Sequence, residues 1–406
     1  MRSLSVPAFF SIELTSDCNN FCSFCSNVFS RNQACLGFYG WQKIIDQIKH
    51  LSHSLKLTGG EPTLHPDFYR IVNYLSQNNL NFTLFTNARW KEPIEVITFL
   101  KSVPQCKGLL VSLHGVDADS HERLTQVGGS FEETCSNILL AAESGVRIHQ
   151  SIILTKLNYN RINEVVVLAE KLKVKRIVFN RYLGKPAPPI EAKPEQLLFA
   201  MREIEQINRK GDKIQLHYGN CIPQCFFPSA STGCLAGVAY CTIDPQGNLR
   251  PCNHSPTVAG NILGEPIEKV WQNNIMQRWR ESLPKQCVHC LALEICHGGC
   301  RAQAEILKIK SDPLIRESIR DKNLLETVDL SLFEDSKPQL NCSVRKESFG
   351  FALLNGQSLV FVAPEAIEIL SQFAEGRRLK DFQNKFGSAA VHLIGVLYLN
   401  GLVNLD

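Results

Sequence analysis

Apolar residues in the first half of the chain come in short runs separated by longer amphipathic stretches. Strand-like runs fall at 9–15, 55–58, 81–86, 108–113, 147–155 and 176–182. Between them, 39–51, 67–77, 131–144 and 161–172 show the 3.6-residue period of half-buried helices. Apolar strands alternating with such helices predict a parallel sheet covered by helices. Six units of this kind fit an open, partial (β/α)6 barrel, and a doubly wound α/β sheet fits the periodicity nearly as well. In either architecture ligands gather at the C-terminal ends of the strands. The chemically unusual residues of this half fall there.

The pattern changes after Lys185-Pro-Ala-Pro-Pro189, which reads as a linker. An amphipathic helix is expected at 194–208, followed by a stretch crowded with cysteines. Within it, 239–243 and 248–250 flank Asp244-Pro-Gln-Gly247, a β-hairpin signal. Residues 317–338 are charged and read as helical up to a second linker, Ser336-Lys-Pro338. Strands are then expected at 343–354 and 359–362, joined at the hairpin dipeptide Asn355-Gly356. Helices are expected at 364–374, 379–386 and 389–401, giving a small winged-helix-like α+β module. The expected domains are 1–190, 191–335 and 336–406.

Composition narrows the function classes. With 406 residues, 44% hydrophobic and 20% charged, the chain is an ordinary globular protein of two or three domains. A net charge of +4 without a Lys/Arg block gives no footprint for nucleic acid or anionic membrane. The late apolar run at 391–399 is too short to span a bilayer, and no export signal opens the chain, so a cytoplasmic protein is expected. Sixteen cysteines in such a chain point to metal or redox use rather than disulfides.

Three of them, Cys18, Cys22 and Cys25, follow the first strand at C-x3-C-x2-C spacing. Thiolates at such spacing select zinc or an iron–sulfur cluster over hard cations, and three ligands leave a fourth position open for chemistry. After the second strand comes Thr58-Gly-Gly-Glu-Pro62, where paired glycines let a ligand approach the backbone closely. The loop, with Asn19 behind its first cysteine and Phe24 before its last, resembles the radical S-adenosylmethionine (SAM) superfamily, and so does Gly59-Gly60-Glu61-Pro62 one strand later. The resemblance, not the periodicity, favours the partial TIM-type barrel. It implies that Cys18, Cys22 and Cys25 hold a 4Fe–4S cluster whose open iron takes SAM. It further implies SAM contacts at Gly59, Gly60, Glu61, Asn87, Ser112 and Asn158, the last three at the ends of strands three to five. Asn and Ser are equally common as turn and cap residues. Ala88 stands where relatives often carry glycine. No catalytic side chain is identified.

The downstream cysteines form C-x12-G-x4-C, ending at Cys252, and C-x2-C-x5-C-x3-C from Cys287 to Cys300. Zinc knuckles share such C-x2-C pairs. Together the two patterns resemble the SPASM domain, which implies one or two auxiliary iron–sulfur clusters. By that resemblance Cys234, Cys241, Cys252 and Cys300 hold the first, and Cys287, Cys290 and Cys296 belong to the second. Ile315 stands where relatives tend to have an eighth cysteine, leaving Cys342, Cys221, Cys225, Asp312 or an open iron for the last position, or no second cluster; an open or non-cysteine site is the expectation. Asn253 follows Cys252 where sulfatase-activating relatives place an Asp base, which argues against that activity. His254, His289 and His297 are candidate donors around the clusters.

The C-terminal segment resembles the PqqD-like precursor-recognition domain, through Arg345-Lys-Glu-Ser-Phe-Gly350, Leu354-Asn-Gly356, Ala366-Ile-Glu-Ile-Leu370 and Leu397-Tyr-Leu-Asn-Gly-Leu402. That resemblance implies a leader peptide added as a strand to a sheet edge. The expected function is therefore an enzyme that cleaves SAM to a 5′-deoxyadenosyl radical and modifies a ribosomally made precursor peptide. A flavodoxin- or ferredoxin-type donor would supply the electron. A radical enzyme for a small molecule or a folded protein, and a zinc-binding scaffold, are the alternatives.

Overall fold

The computed structural model describes residues 2–25, 33–187, 189–211, 213–230, 233–320, 330–356 and 358–406. Asn27, Pro188 and residues 321–329 of the helix expected at 317–338 lie outside them.

The first half alternates as the periodicity predicts: β1 (Phe9–Glu13), α1 (Phe38–Ile48), β2 (Ser54–Thr58), α2 (Phe68–Gln77), β3 (Phe82–Thr86), α3 (Pro93–Lys101), β4 (Cys106–Ser112), α4 (Ala118–Thr125), α5 (Ser130–Glu143), β5 (Ile148–Leu154), α6 (Ile162–Lys171) and β6 (Arg176–Arg181). Two helices escape the sequence reading. Pro93 occupies the first turn of α3, where its missing N–H costs nothing. The segment Ala118–Thr125 has almost no apolar stripe, and α4 is set instead by Asp117, whose carboxylate accepts from Ser120 N at 2.8 Å.

Strands β1 to β6 lie side by side in chain order, all parallel. A doubly wound sheet would reverse its order at a switch point. No reversal occurs, so this is the partial barrel. The sheet also runs past the stretch read as a linker. Helix α7 (Pro194–Lys210) ends at Gly211, whose φ of +73° suits the left-handed cap, and β7 (Gln215–Tyr218) pairs in parallel with β6.

At the other edge, the hairpin β8 (Tyr240–Ile243) and β9 (Asn248–Arg250) joins the same sheet, with β8 parallel to β1 and β10 (Gly260–Asn261) beyond β9. The order of the ten strands is β10-β9-β8-β1-β2-β3-β4-β5-β6-β7. One face carries the apolar core, including Phe10, Ile12, Leu55, Leu57 and Leu84, under the helices. The facing registers put Ser11, Lys56, Thr83 and Thr242 on the opposite, polar face.

Helices α8 (Ile267–Trp271), α9 (Asn274–Glu281), α10 (Leu293–Cys296) and α11 (Arg301–Leu307) complete the middle region. Residues 317–320 are irregular, and 331–333 form only a single 3-10 turn, so the described parts of 317–338 are not the expected helix.

The last region holds β11 (Pro338–Leu340), β12 (Ser343–Glu347), β13 (Gly350–Asn355), β14 (Ser358–Val362), α12 (Ala366–Ser371), α13 (Leu379–Phe386), α14 (Ser388–Leu399) and β15 (Val403–Leu405). The strand expected over 343–354 is two antiparallel strands. The run turns at Ser348–Phe349, and Gly350 opens β13 with a φ of +138°, where a Cβ would stand 2.3 Å from Val362 O. The sheet β12-β13-β14 packs over the N-terminal end of β1, where Leu4, Ala8 and Phe9 meet Ala352 and Leu354. Arg345 donates to Ser5 Oγ and to Val6 O, and Ser5 N donates to Glu347 Oε2.

Burial lowers the pKa of several barrel histidines: His114 to about 3, His121 to about 4 and His149 to about 4, each by desolvation first. A group whose pKa falls on folding binds protons sooner in the unfolded chain, so acid favours unfolding. The urea midpoint of the apo protein is expected to drop as pH falls from about 6.5 to about 4. A midpoint constant over that range would contradict the neutral burial of these rings.

Candidate functional site

The loop after β1 is held from three sides. Gly60 N donates to Thr15 O and Glu61 N to Asp17 O, both at 2.7 Å. Here the paired glycines do a job the sequence leaves unspecified: the backbone that comes close is the cysteine loop itself. A Cβ on Gly59 would stand 2.5 Å from Thr15 O, and one on Gly60 only 2.1 Å from Asp17 O. From the end of β3, Arg89 Nη1 donates to Asn19 O and Asn20 Oδ1, while Asn19 Nδ2 donates to Arg89 O. From the end of α4, Leu124 O and Thr125 O accept from Ser23 N and Phe21 N. Phe24 is buried with Leu124 and packs edge-on against His114. The result is a fixed loop in which Cys18 and Cys22 are half-buried and Cys25 is exposed.

Of the residues expected to contact SAM, Asn87 reaches this loop. Its Nδ2 donates to Asn19 Oδ1 at 2.7 Å and lies 3.7 Å from Cys18 Sγ. Glu61 is buried and turned inward: its carboxylate accepts from Thr63, from Thr86 Oγ1 and from Asn87 N. Burial raises its pKa against those bonds. Its side chain braces the glycine turn against β3. Asn158 is likewise committed, donating to His114 O and Ile153 O and accepting from Thr155 N. Ser112 ends β4 on the polar face, level with Ser151 of β5. Ala88 adopts φ +57°, the left-handed conformation that a glycine would take without strain.

The polar face behind the loop carries a linked set of side chains. Glu13 pairs with the buried Arg250, and Asn253 bridges Glu13 Oε1 and Ser11 Oγ. Lys56 stands over the rings of Tyr240 and Phe85, and burial pulls its pKa down to about 8.

The downstream cysteines separate into two groups. Cys221, Cys234, Cys252 and Cys300 share one small cluster. Cys225, Cys287, Cys290 and Cys296 line one cavity. Cys241, expected in the first group, is not there. The two-residue period of β8 sets Cys241 opposite Phe10, so its thiol enters the apolar core under the helices. Cys221 takes the place in that group. The sequence offered Cys221 only as a candidate for the second group, because it precedes the hairpin; the in-and-out alternation of 240–243 was the available signal. Cys342 packs in the core of the C-terminal module.

Sharp backbone turns keep the groups apart. His297, Gly298 and Gly299 have φ of +59°, +78° and +75°, so Cys296 and Cys300 serve different groups although only three residues lie between them. Arg181, at the end of β6, ties the first group to the barrel. Its guanidinium forms a bidentate pair with Asp312, and its Nε donates to Cys221 O; Asp312 Oδ2 in turn accepts from Cys300 N. With Oδ1 also accepting from Leu314 N, Asp312 is fully engaged.

The donor chemistry of both groups fits iron–sulfur clusters. The thiols are reduced, and burial together with the neighbouring thiols raises the pKa of Cys221, of Cys287 to about 12 and of Cys300 to about 12. Buried thiols of this kind give up their protons only to a bound metal. Nδ1 of His254 is buried with no hydrogen-bond partner among the described residues, as a donor or acceptor facing a bound group would be, whereas His297 bonds the backbone of Cys234 and Glu294. His289 is exposed and faces solvent. Among the described residues, no group of three or more His, Cys, Asp or Glu is arranged for a single metal ion.

Comparison with known families agrees with this layout. Residues 12–169 match the radical SAM superfamily, and residues 234–291 match the SPASM iron–sulfur cluster-binding domain. The chain carries a radical SAM domain followed by a SPASM domain. It is thus an enzyme, with SAM and a 4Fe–4S cluster as cofactors and auxiliary iron–sulfur clusters in the SPASM domain. The AdoMet-dependent heme synthase of Methanosarcina barkeri is 26% identical over 74% of this chain and 93% of its own length. The mycofactocin maturase MftC of Mycobacterium tuberculosis is 28% identical over 74% of this chain and 80% of its own. The structure of Streptococcus suis SuiB bound to precursor peptide SuiA superposes with a TM-score of 0.63 at 20% identity, covering 79% of this chain and 76% of that one. No helix among the described residues is long and apolar enough to cross a membrane.

The Arg181–Asp312 pair supports a stability prediction. Removing one partner of a buried ion pair strands the other charge and costs about 3–5 kcal/mol. Arg181→Met is expected to destabilise by that amount in urea unfolding, whereas an effect below about 1 kcal/mol would mean that the pair bears little load.

Proposed function

We propose that this chain is a cytoplasmic radical SAM maturase that modifies a ribosomally made precursor peptide. The observation that carries the reading is the clamped cysteine loop at the strand ends of a barrel whose own sheet continues into the SPASM hairpin. Cys18, Cys22 and Cys25 are assigned to the radical-generating cluster. Cys221, Cys234, Cys252 and Cys300 are assigned to the first auxiliary cluster, and Cys287, Cys290 and Cys296 to the second. When bound, the loop cluster supplies the electron, received from a flavodoxin- or ferredoxin-type donor, that cleaves SAM to methionine and a 5′-deoxyadenosyl radical.

The protein residues bind, orient and shield. Gly59 and Gly60 offer backbone carbonyls to the SAM ammonium, and Ser112 offers a hydroxyl from the next strands. Glu61, Asn87 and Asn158 act by holding the turn and the strand ends in place. The polar face around Glu13, Arg250, Asn253 and Lys56 is where a substrate segment between the loop and the auxiliary sites would be held.

A leader peptide is assigned to β14 of the C-terminal module. Both outer strands, β12 and β14, lack a further strand among the described residues. Edge charges discourage strand addition, and β12 carries Arg345 and Lys346 whereas β14 reads Ser-Leu-Val-Phe-Val. β14 is the open edge for augmentation. The similarity to mycofactocin maturase and to SuiB, which is bound to its precursor peptide, supports a peptide substrate. The similarity to heme synthase supports a second reading, a porphyrin substrate.

Two experiments separate these readings. Anaerobic incubation with SAM, dithionite and a candidate precursor peptide is expected to yield 5′-deoxyadenosine and a peptide of altered mass. Removal of residues 336–406 is expected to weaken leader binding at least tenfold while 5′-deoxyadenosine still forms without peptide. A porphyrin that is turned over, with every peptide left unchanged, would replace the peptide reading. For the ligand sets, Cys241→Ala is expected to retain the wild-type iron content, whereas Cys221→Ala loses iron. The opposite result would restore Cys241 to the site.

A further inference from the structure

The SPASM pattern in this chain lacks its usual last cysteine, with Ile315 at that place. The structure shows what stands there instead. Cys287, Cys290 and Cys296 line a cavity closed on one side by Ile315 and on another by Cys225, from the loop Cys221-Ile-Pro-Gln-Cys225. This loop precedes residues 234–291, the segment matched as SPASM.

The other candidates for a fourth donor are spent elsewhere. Asp312 is held by Arg181, Cys300 N and Leu314 N. Cys342 lies in the C-terminal core, and Cys221 is grouped with Cys234, Cys252 and Cys300. A second observation singles out Cys225: Arg316 N donates to its Sγ at 3.2 Å. Hydrogen bonds from backbone N–H groups to the sulfurs are a recurring feature of iron–sulfur ligation and tune its potential. The segment that would have brought the missing cysteine still forms the wall and now supports the sulfur that replaces it.

We propose that Cys225 is the fourth protein ligand of the second auxiliary iron–sulfur cluster. The inference rests on the reading of the downstream cysteines as cluster ligands. It follows that one short loop serves both auxiliary sites, Cys221 on one and Cys225 on the other. Four Cα steps span at most about 14 Å, so the two clusters are close neighbours. Their adjacency is also seen in the bond from Cys234 N to Cys296 O at 3.3 Å.

The test uses the full chain with Cys18, Cys22 and Cys25 all changed to Ala, which leaves only the auxiliary sites. About eight irons per chain are expected after anaerobic reconstitution. Adding Cys225→Ala is expected to remove between about one and four of them and to change the EPR spectrum of the reduced protein. Unchanged iron and spectrum would overturn the proposal, and absence of iron from the parent would overturn the reading beneath it. Where Cys225→Ala fails to fold, thiol alkylation of the unsubstituted holoprotein decides. Cys225 is expected to be protected until the iron is chelated, and equal labelling before and after chelation would overturn the assignment.

Discussion

The buried pair of Arg181 and Asp312 is the joint on which the two halves of the molecule depend. Arg181 is the last residue of a barrel strand, and Asp312 belongs to the far side of the cysteine-rich region. Two charges removed from water are tolerated only when each is paired and its remaining hydrogen-bonding positions are filled. Here they are filled by Cys221 O on one side and by Cys300 N and Leu314 N on the other. The pair therefore sets the distance between two cysteines that lie 79 residues apart in the chain (300 − 221). Barrel and auxiliary region are further joined by β8, which pairs directly with β1.

A rigid joint matters because the two sites divide the chemistry. The cysteine loop leaves the C-terminal end of β1 and is fastened by backbone hydrogen bonds to the turn after β2 and to the end of α4, and by side-chain hydrogen bonds to Arg89 after β3. The auxiliary cysteines are fastened to the end of β6. The polar face between them, with Glu13, Arg250, Asn253 and Lys56, is built from the same strands. The C-terminal module meets the opposite end of β1, through Ala352 and Leu354 against Leu4, Ala8 and Phe9. A peptide held on β14 would have to run along the barrel to reach the loop, which suits a long leader preceding a modified core.

Much of this layout was legible in the sequence. The strand–helix alternation predicted the parallel sheet, because burial on one side imposes a period that survives in the residues. Cys18, Cys22 and Cys25 were legible as a candidate set because only short gaps separate them along the chain. What stayed hidden was less local. Helix α4 lacks an apolar stripe and is set by the Asp117 cap. The close approach that requires Gly350 is set by Val362, a strand away. The glycines of Gly59-Gly60 were legible as points of close approach, but not that the approaching chain is the cysteine loop.

By itself the sequence determined which chemistry is present: thiols in number, a three-cysteine loop after a strand, and a second set at ligand spacing. The partition of those thiols was decided by the tertiary structure alone. Strand register turns Cys241 towards Phe10, away from Cys221, Cys234, Cys252 and Cys300. Cys221 and Cys225 were brought in from outside the pattern, and the left-handed turn at His297–Gly299 sent Cys296 and Cys300 to different groups. Spacing along a chain constrains neighbours only. Which of several buried thiols meet is set by the packing of strands and loops far apart in sequence, and that packing first reveals why the loop at 221–225 carries two cysteines.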